Sequence, residues 1–478
     1  MNNKKIKLLS VCISASFLFY GCKIPKVIQR DENRNTPETY SNAPADTINT
    51  ATVGWRTFFT DSNLVHIIDT ALANNQELMI TLQEIEIAKS DIRAKKGAML
   101  PMVTGNIGAS GEKVGRYTSQ GAGDASADMT PGKRVPEFLS DFRFGATIEW
   151  EADIWKKLRN AKKSSVKRYL ASVEGKNFVL TNLIAEIANN YYELVALDNE
   201  LDIVRQTIIT QQKALEVVKV QKEAARATEL AVKKFEAEVL GTQSREFELL
   251  QQIKETEYDL SLLMGRFPKD IPRDKSNFAL LVPPIIHVGI PAQLLQNRPD
   301  IRKAELELAA SKLDVKVAKA EFYPTFKLSA DIGIDAFRPD FWIKLPESIF
   351  GSIAAGLLGP LFNRNAITAE FLSANARQKQ AVFGFERSIL TGYLEVATQL
   401  SAINNYEKIY DLKSKQMDAL TISIQTANDL FASARADYFE VLMTQRDALD
   451  TKIELIETKK QQLNAVVNIY KGLGGGWR

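Results

Sequence analysis

The side chains that could do chemistry in this 478-residue chain are few and scattered. It holds two histidines, His66 and His287, far apart in the sequence. Zinc and related metals take three or four His, Cys or carboxylate ligands at short spacings, and neither histidine belongs to such a set. The two cysteines, Cys12 and Cys22, both lie at the N-terminus, which leaves no thiol nucleophile further along. There is no Gly-rich phosphate loop ending in Lys-Ser/Thr and no Gly-x-Ser-x-Gly. Carboxylates are plentiful, but they sit on stretches that read as solvated helix faces, where pairs mean little. A formal net charge of +3 gives no reason to expect nucleic acid. The expectation is a protein that is not an enzyme, with no catalytic residue, no metal and no cofactor.

The N-terminus carries a different chemistry. Lys4, Lys5 and Lys7 precede an apolar stretch from Leu8 to Tyr20, and Gly21-Cys22 follows. A positive start, a short apolar core and a small residue read as a secretory signal. Cys directly after the small residue resembles a bacterial lipobox, so Cys22 is the expected lipid anchor and residues 1–21 the lipoprotein signal peptide. Phe19-Tyr20 departs from the usual Leu-small pair. Residues 22–60 are read as a lipid-anchored tether. The stretch to about residue 53, rich in Asn, Thr, Pro and Asp, reads as extended and without a core of its own.

The rest of the chain repeats itself. Residues 84–94 lead to Pro101 and a Gly-rich run; residues 307–317 lead to Pro324 and another, aligning Asp91 with Asp314 at an offset of 223. Leu180, Ile187, Leu194, Leu201, Ile208 and Leu215 recur every seven residues, and so do Val382, Ile389, Val396, Ile403, Tyr410, Met417, Ile424 and Phe431. Stretches 155–225 and 362–432 lack Pro, and as helices each would be about 100 Å long. A strict seven-residue period implies left-handed supercoiling against neighbouring helices. Shorter helices are expected at 62–97, 228–265, 291–320 and 435–473. The repeats are placed at 61–270 and 291–478, joined by a linker at 271–290.

Between the helices, period two replaces period seven. Phe142, Phe144, Ala146, Ile148, Trp150, Ala152 and Ile154 alternate with polar residues, and so do Phe326, Leu328, Ala330, Ile332 and Ile334. Residues 102–111 and 349–358 are weaker partners. One apolar and one polar face of this length suits a strand with lipid on one side and water on the other. Four strands cannot close a barrel, and lipid tolerates no open sheet edge. Three copies would supply twelve. The fold class expected is mainly α with a small β part: a long coiled-coil α-barrel joined to a transmembrane β-barrel, with an internal two-fold repeat.

Leu294-Leu295-Gln296-Asn297-Arg298-Pro299-Asp300-Ile301-Arg302 resembles the signature of the OprM-like lipoprotein branch of the TolC-type outer-membrane factors. Phe322-Tyr323-Pro324, Gly359-Pro360-Leu361-Phe362-Asn363 and Tyr470-Lys471-Gly472-Leu473-Gly474-Gly475-Gly476-Trp477 are similar to the same branch. Arg298, Pro299 and Asp300 also read structurally, as the start of a helix with an acid at the positive end of its dipole. The resemblance implies a lipid-anchored homotrimer in the outer membrane, with a long periplasmic extension. It would be a passive exit duct working with a periplasmic adaptor and an inner-membrane resistance-nodulation-division pump to export drugs or other small molecules.

The resemblance also implies a tight periplasmic aperture just after the turn into the last helix. Here that is Asp437-Tyr438-Phe439-Glu440-Val441-Leu442-Met443. Phe439 and Met443 are the expected apolar constriction, with Asp437 or Glu440 beside it. Family members often carry Asp where this chain has Met443, which leaves a carboxylate ring open. Two other functions fit less of the sequence: the outer channel of an ATP-driven protein or peptide secretion system, and a structural lipoprotein that conducts nothing.

Overall fold

The computed structural model describes residues 24–26, 30–40, 47–276, 278, 281, 283–359, 364–433 and 435–478. Cys22 and Pro360–Asn363 lie outside the described residues. Seven long elements are helical: α1 (Ser62–Asn74), α2 (Gln76–Gly97), α3 (Lys157–Glu223), α4 (Glu229–Leu263), α5 (Pro299–Ala320), α6 (Asn365–Ala432) and α7 (Tyr438–Gly472). Four strands, β1 (Met102–Glu112), β2 (Leu139–Ala152), β3 (Thr325–Ala336) and β4 (Ile349–Leu358), form one antiparallel sheet in the order β1-β2-β3-β4.

The duplication shows in the lengths. Helices α3 and α6 have 67 and 68 residues, α4 and α7 have 35 each, and α2 and α5 have 22 each. Two expected helices are interrupted. The stretch 62–97 breaks at Asn75, whose backbone is extended. The Asn75 side chain accepts from Leu78 N at 2.9 Å and donates to Leu263 O at 2.9 Å, so it caps α2 and ties it to α4. The stretch 291–320 breaks at Arg298, also extended, and Pro299 opens α5. Proline fits a first helical turn, where the missing N–H would have had no partner. The connection between β1 and β2 carries a short helix (Ser119–Asp124) and a small hairpin (Asp128–Thr130 with Lys133–Arg134).

The chain divides into two units. The first, residues 1–31, 87–169 and 306–382, holds the sheet. Its helical part packs Val315, Ala318 and Phe322 of α5 and the loop after it on Phe371 and Ala374 of α6. Consecutive serines on α3 reach the two acids aligned by the repeat. Ser165 donates to Asp91 on α2, while Ser164 donates to Asp314 on α5 at 2.6 Å, and Arg168 pairs with Asp314.

The second unit, residues 32–86, 170–305 and 383–478, holds the main apolar core. Leu194, Leu201 and Val204 of α3 pack with Leu249 and Leu260 of α4, Leu463 and Tyr470 of α7, and Leu64, Ile67 and Ile68 of α1. Stretches read from composition as tether and linker contribute to this unit. Trp55 and Phe59 join its core, Phe58 stacks on Tyr470 at 4.0 Å, and Tyr40 is buried against Tyr393 at 5.4 Å. From the linker, Ile271 and Phe278 are buried in the same core. Apolar rings in a polar-rich stretch are enough to seat it, because each aromatic buries a large area.

Candidate functional site

Strand alternation gives the sheet two chemically distinct faces. One carries Val103 and Ile107 of β1, Phe142, Phe144, Ile148 and Trp150 of β2, Phe326, Leu328, Ile332 and Ile334 of β3, and Ile349, Ile353 and Leu357 of β4. Several of these are open to the surroundings; Ile107 is 78% exposed and Ile353 83%. A continuous apolar surface of this kind marks an interaction with lipid or protein. Aromatics with a polar handle bracket it. At one end the Trp150 indole donates to Met99 O at 3.1 Å, and Trp155 stacks on Tyr323 at 4.7 Å while donating to Pro324 O. At the other end Trp342 donates to Phe142 O at 2.8 Å. Two aromatic girdles around an apolar band are the mark of a strand crossing a bilayer.

The opposite face is polar. Asn106 donates to Thr147 at 3.2 Å, Thr147 donates to Asp331 at 2.7 Å, and Ser352 donates to Asp331 at 3.1 Å, a chain across all four strands. Phe350 is an aromatic on this face, which carries apolar Met102, Leu139 and Leu358 only at its ends. Its ring lies over Gly145 and Gly333, where an added Cβ would come within 3.2 and 2.8 Å of it, and the Arg143 guanidinium sits 4.2 Å above it. A glycine pair covered by an aromatic from the next strand keeps the sheet packed where side chains are missing. Strands β1 and β4 each pair on one side only among the described residues, so the sheet has two open edges.

The second candidate region lies at the turns joining the long helices to their partners. Both turns read Ala-Arg-Ala, at 225–227 and 434–436, followed by Thr228 or Asp437. In both, the arginine N–H reaches a carbonyl five residues back: Arg226 to Gln221 O and Arg435 to Leu430 O, each at 2.8 Å. This offset of 209 pairs Val232 with Val441, both buried in one apolar cluster with Leu215, Val218 and Phe235. It also pairs Leu230 with Phe439, and each is 59% exposed. Asp437, Phe439, Glu440 and Met443, singled out from the sequence, all lie in or beside the first turn of α7 and all are exposed. Phe439 and Met443 are one helical turn apart, on the side away from Val441. Leu230 was missed; the repeated Ala-Arg-Ala is the signal that finds it.

The third named set, Arg298, Pro299 and Asp300, forms a structural node. The Arg298 side chain is buried and makes four hydrogen bonds. It donates to both oxygens of Asp300 at 3.0 and 2.7 Å, to Glu395 of α6 at 2.7 Å, and to the carbonyl of Gly472 at the end of α7 at 2.8 Å. The C-terminal glycine motif folds back onto it. Trp477 donates to Asn297 O at 3.2 Å, and Gly474 has φ +90° with Asn297 O where a Cβ would stand. Two motifs distant in sequence are thus halves of one clamp. The His287 backbone N–H donates to the Thr50 hydroxyl at 2.8 Å. Among the described residues no cluster of His, Cys, Asp or Glu is placed to hold a metal, and no helix is long and apolar enough to cross a membrane.

Comparison with known proteins gives this geometry a context. The profile of the family described as "Outer membrane efflux protein" matches residues 67–266 and 290–475. Solvent efflux pump outer membrane protein SrpC of Pseudomonas putida is 27% identical over 421 residues, covering 88% of this chain and 87% of that protein. Cation efflux system protein CusC of Escherichia coli is 25% identical over 476 residues, 99% of each chain. Among solved structures, CusC superposes with a TM-score of 0.81 at 23% identity, over 95% of this chain and 99% of the other. The open state of the Neisseria gonorrhoeae MtrE outer membrane channel gives 0.80 at 20% identity, over 96% and 99%. The fold is that of these outer-membrane channels.

Proposed function

The chain belongs to the outer membrane efflux protein family, and from that premise we propose that it is the trimeric exit duct of a tripartite efflux system. The observation that carries the reading is the two-faced sheet with two open edges. An unpaired row of N–H and C=O groups costs several kcal/mol per group in hydrocarbon, so a lipid-facing sheet must close. Three copies closing β1 of one protomer on β4 of the next give twelve strands, with apolar residues toward lipid and the Thr147–Asp331–Ser352 chain toward water. The Cys22 anchor, outer-membrane lipid around the barrel, a periplasmic adaptor and an inner-membrane pump of the resistance-nodulation-division type belong to the same reading. Energy comes from the pump, and the duct only opens.

In this reading three copies of Phe439 and Met443 meet at the periplasmic end as an apolar constriction, with Asp437 and Glu440 as its charged rim. An apolar ring resists wetting and holds back ions until it widens. The cargo is proposed as small molecules. The relatives are named for solvents, pyoverdine and cations, so a duct of this build does not select narrowly.

Three measurements test the proposal. Detergent-corrected light scattering on the extracted protein should give the mass of three chains; a stable folded monomer would leave the edges open in lipid and end the duct reading. Phe439→Ala should raise conductance in planar bilayers and let large antibiotics leak into cells. Unchanged permeability in that variant would remove the aperture from α7. Deleting the gene should cause drug hypersensitivity; loss of a secreted protein instead would move the duct to an ATP-driven secretion system.

A further inference from the structure

The apolar interior of the long helices is interrupted. Toward the Ala-Arg-Ala turns, the main core ends at Ile208 of α3, Leu249 of α4 and Leu449 of α7. A separate cluster at the turns starts from Leu215 of α3, Val239 of α4 and Val441 of α7. Between the two, each helix buries a polar side chain: Gln211, Thr242 and Gln445. Two ion pairs set the helices in register, Arg205 of α3 with Glu246 of α4 at 2.7 Å and Arg245 of α4 with Asp450 of α7 at 3.5 Å. Gln211, Thr242 and Gln445 each lie three to six residues from those pairs, on the side of the turns. All three are therefore within about one helical turn of a common level.

Gln211 is the sharpest feature of this layer. It falls in the seven-residue row of Val204 and Val218, where a supercoiled helix buries an apolar side chain. It is 1% exposed, and neither its amide nitrogen nor its amide oxygen has a hydrogen-bond partner among the described residues. The Gln445 Oε1 is likewise buried without a partner. Thr242 turns its hydroxyl back on its own helix, donating to Glu238 O at 3.0 Å. A buried amide without partners is destabilising, and access to water relieves it. Opening the helices at this level therefore costs less than at the apolar layers on either side.

We propose that this layer is a hinge line, beyond which the turn end of the helices opens as one cooperative unit while the main core stays closed. The unit holds the end of α3, the start of α4 and the start of α7, with Ala427 and Phe431 of α6 packed against its cluster. Proteins open locally in such contiguous units, at less than the cost of global unfolding. Here the cluster is small, which limits the apolar surface exposed, and the two glutamines gain water in the same step. Phe439 and Met443 lie within the unit, so in the duct reading it is the part that carries the constriction.

The experiment is hydrogen exchange by mass spectrometry on the full-length protein in detergent. In the wild type, amides of residues 212–222, 233–241 and 442–446 should exchange together, and faster than those of 187–204 and 249–263 by roughly tenfold or more. Gln211→Leu removes the amide that opening hydrates and should slow the turn-end amides by roughly tenfold. Val218→Ala, inside the turn-end cluster, should speed all of them by roughly tenfold and leave those of 187–204 level. One rate on both sides of the layer in the wild type overturns the proposal. So does a Gln211→Leu protein whose turn-end amides exchange as fast as before, or a Val218→Ala acceleration that spreads into the main core. The link to Phe439 rests on the duct reading, and bilayer recordings test it separately. Fewer openings in Gln211→Leu than in the wild type tie hinge to gate. Equal opening in both cuts that tie, and no conductance in either counts against the duct while the exchange result still decides the hinge.

Discussion

Helices α3 and α6 are the same element twice, with one residue of difference in length and the same seven-residue apolar period. Their surroundings differ. On α3 the seam from Ile187 through Leu194, Leu201 and Ile208 to Leu215 is buried along its whole run. On α6 the seam is buried at Val382, Ile389 and Val396, and from Ile403 through Tyr410, Met417, Ile424 and Phe431 it is only half covered. An apolar stripe kept in strict register but left half open in one chain is a stripe waiting for another helix. The α3 seam is covered within the protomer; in the proposed trimer the open part of the α6 seam is the surface a neighbouring copy would cover. Both halves nonetheless use an arginine to tie helices together. Arg273 joins Asp198 of α3 at 2.5 Å to Glu257 of α4 at 2.8 Å, and Arg298 joins Glu395 of α6 to the end of α7.

Truncating the seam itself should break the contrast most severely. Leu194→Ala on α3 should destabilise the folded protomer by about 2–5 kcal/mol through transfer and cavity together. Ile403→Ala on α6 should leave the isolated protomer nearly unchanged and weaken association of copies instead. Native mass measurement against protein concentration distinguishes them. An Ile403→Ala protein as trimeric as the wild type would mean that the α6 stripe is not an interface.

Next in size come the arginine ties. Arg298→Met leaves Asp300 and Glu395 without their cation and the buried Gly472 carbonyl without its donor, a loss of about 1–3 kcal/mol. Arg273→Met should cost less, because Arg273 is more exposed and Lys254 still holds Glu257 at 2.7 Å. Thermal unfolding in detergent, read by circular dichroism, ranks the two. Equal shifts in midpoint would mean that burial of the node does not set its worth.

Much of this was legible in the sequence, because period seven and period two are direct imprints of burial. The long helices fall within a few residues of 155–225 and 362–432, and all four strands within about three of their expected bounds. The Asp91–Asp314 alignment was legible too, and the structure gives its reason in Ser165 and Ser164. What was not legible depends on tertiary partners. The break at Asn75 needs Leu263 O to receive its amide, a residue far along the chain. Arg298 reads as part of a helix start, and only the fold brings Glu395 and Gly472 to it. Tyr40 and Trp55 sit in polar stretches whose composition says tether, yet single rings find waiting pockets. At the proposed aperture, Phe439 and Met443 were found through resemblance, whereas Leu230 follows only from superposing the two turns.

The smallest difference between the repeats lies at those turns. Thr228 caps α4 by accepting from Ala231 N at 3.2 Å, whereas Asp437 makes no side-chain cap for α7. A Ser, Thr or Asp cap is worth about 1 kcal/mol to the helix it starts. Thr228→Ala should therefore loosen the first turn of α4 by about 1 kcal/mol, while Asp437→Ala should change α7 by a few tenths at most, keeping only the favourable placement of an acid near the helix start. Amide exchange in residues 229–233 and 438–442 reads the two directly. The asymmetry matters because Leu230 and Phe439 occupy matching, equally exposed positions, one on a capped turn and one on an uncapped turn. Of two such apolar side chains, the one whose backbone frays at lower cost is the better moving part. If Asp437→Ala proves as costly as Thr228→Ala, the two turns are equally fixed, and the reason for assigning the movement to Phe439 rather than Leu230 disappears.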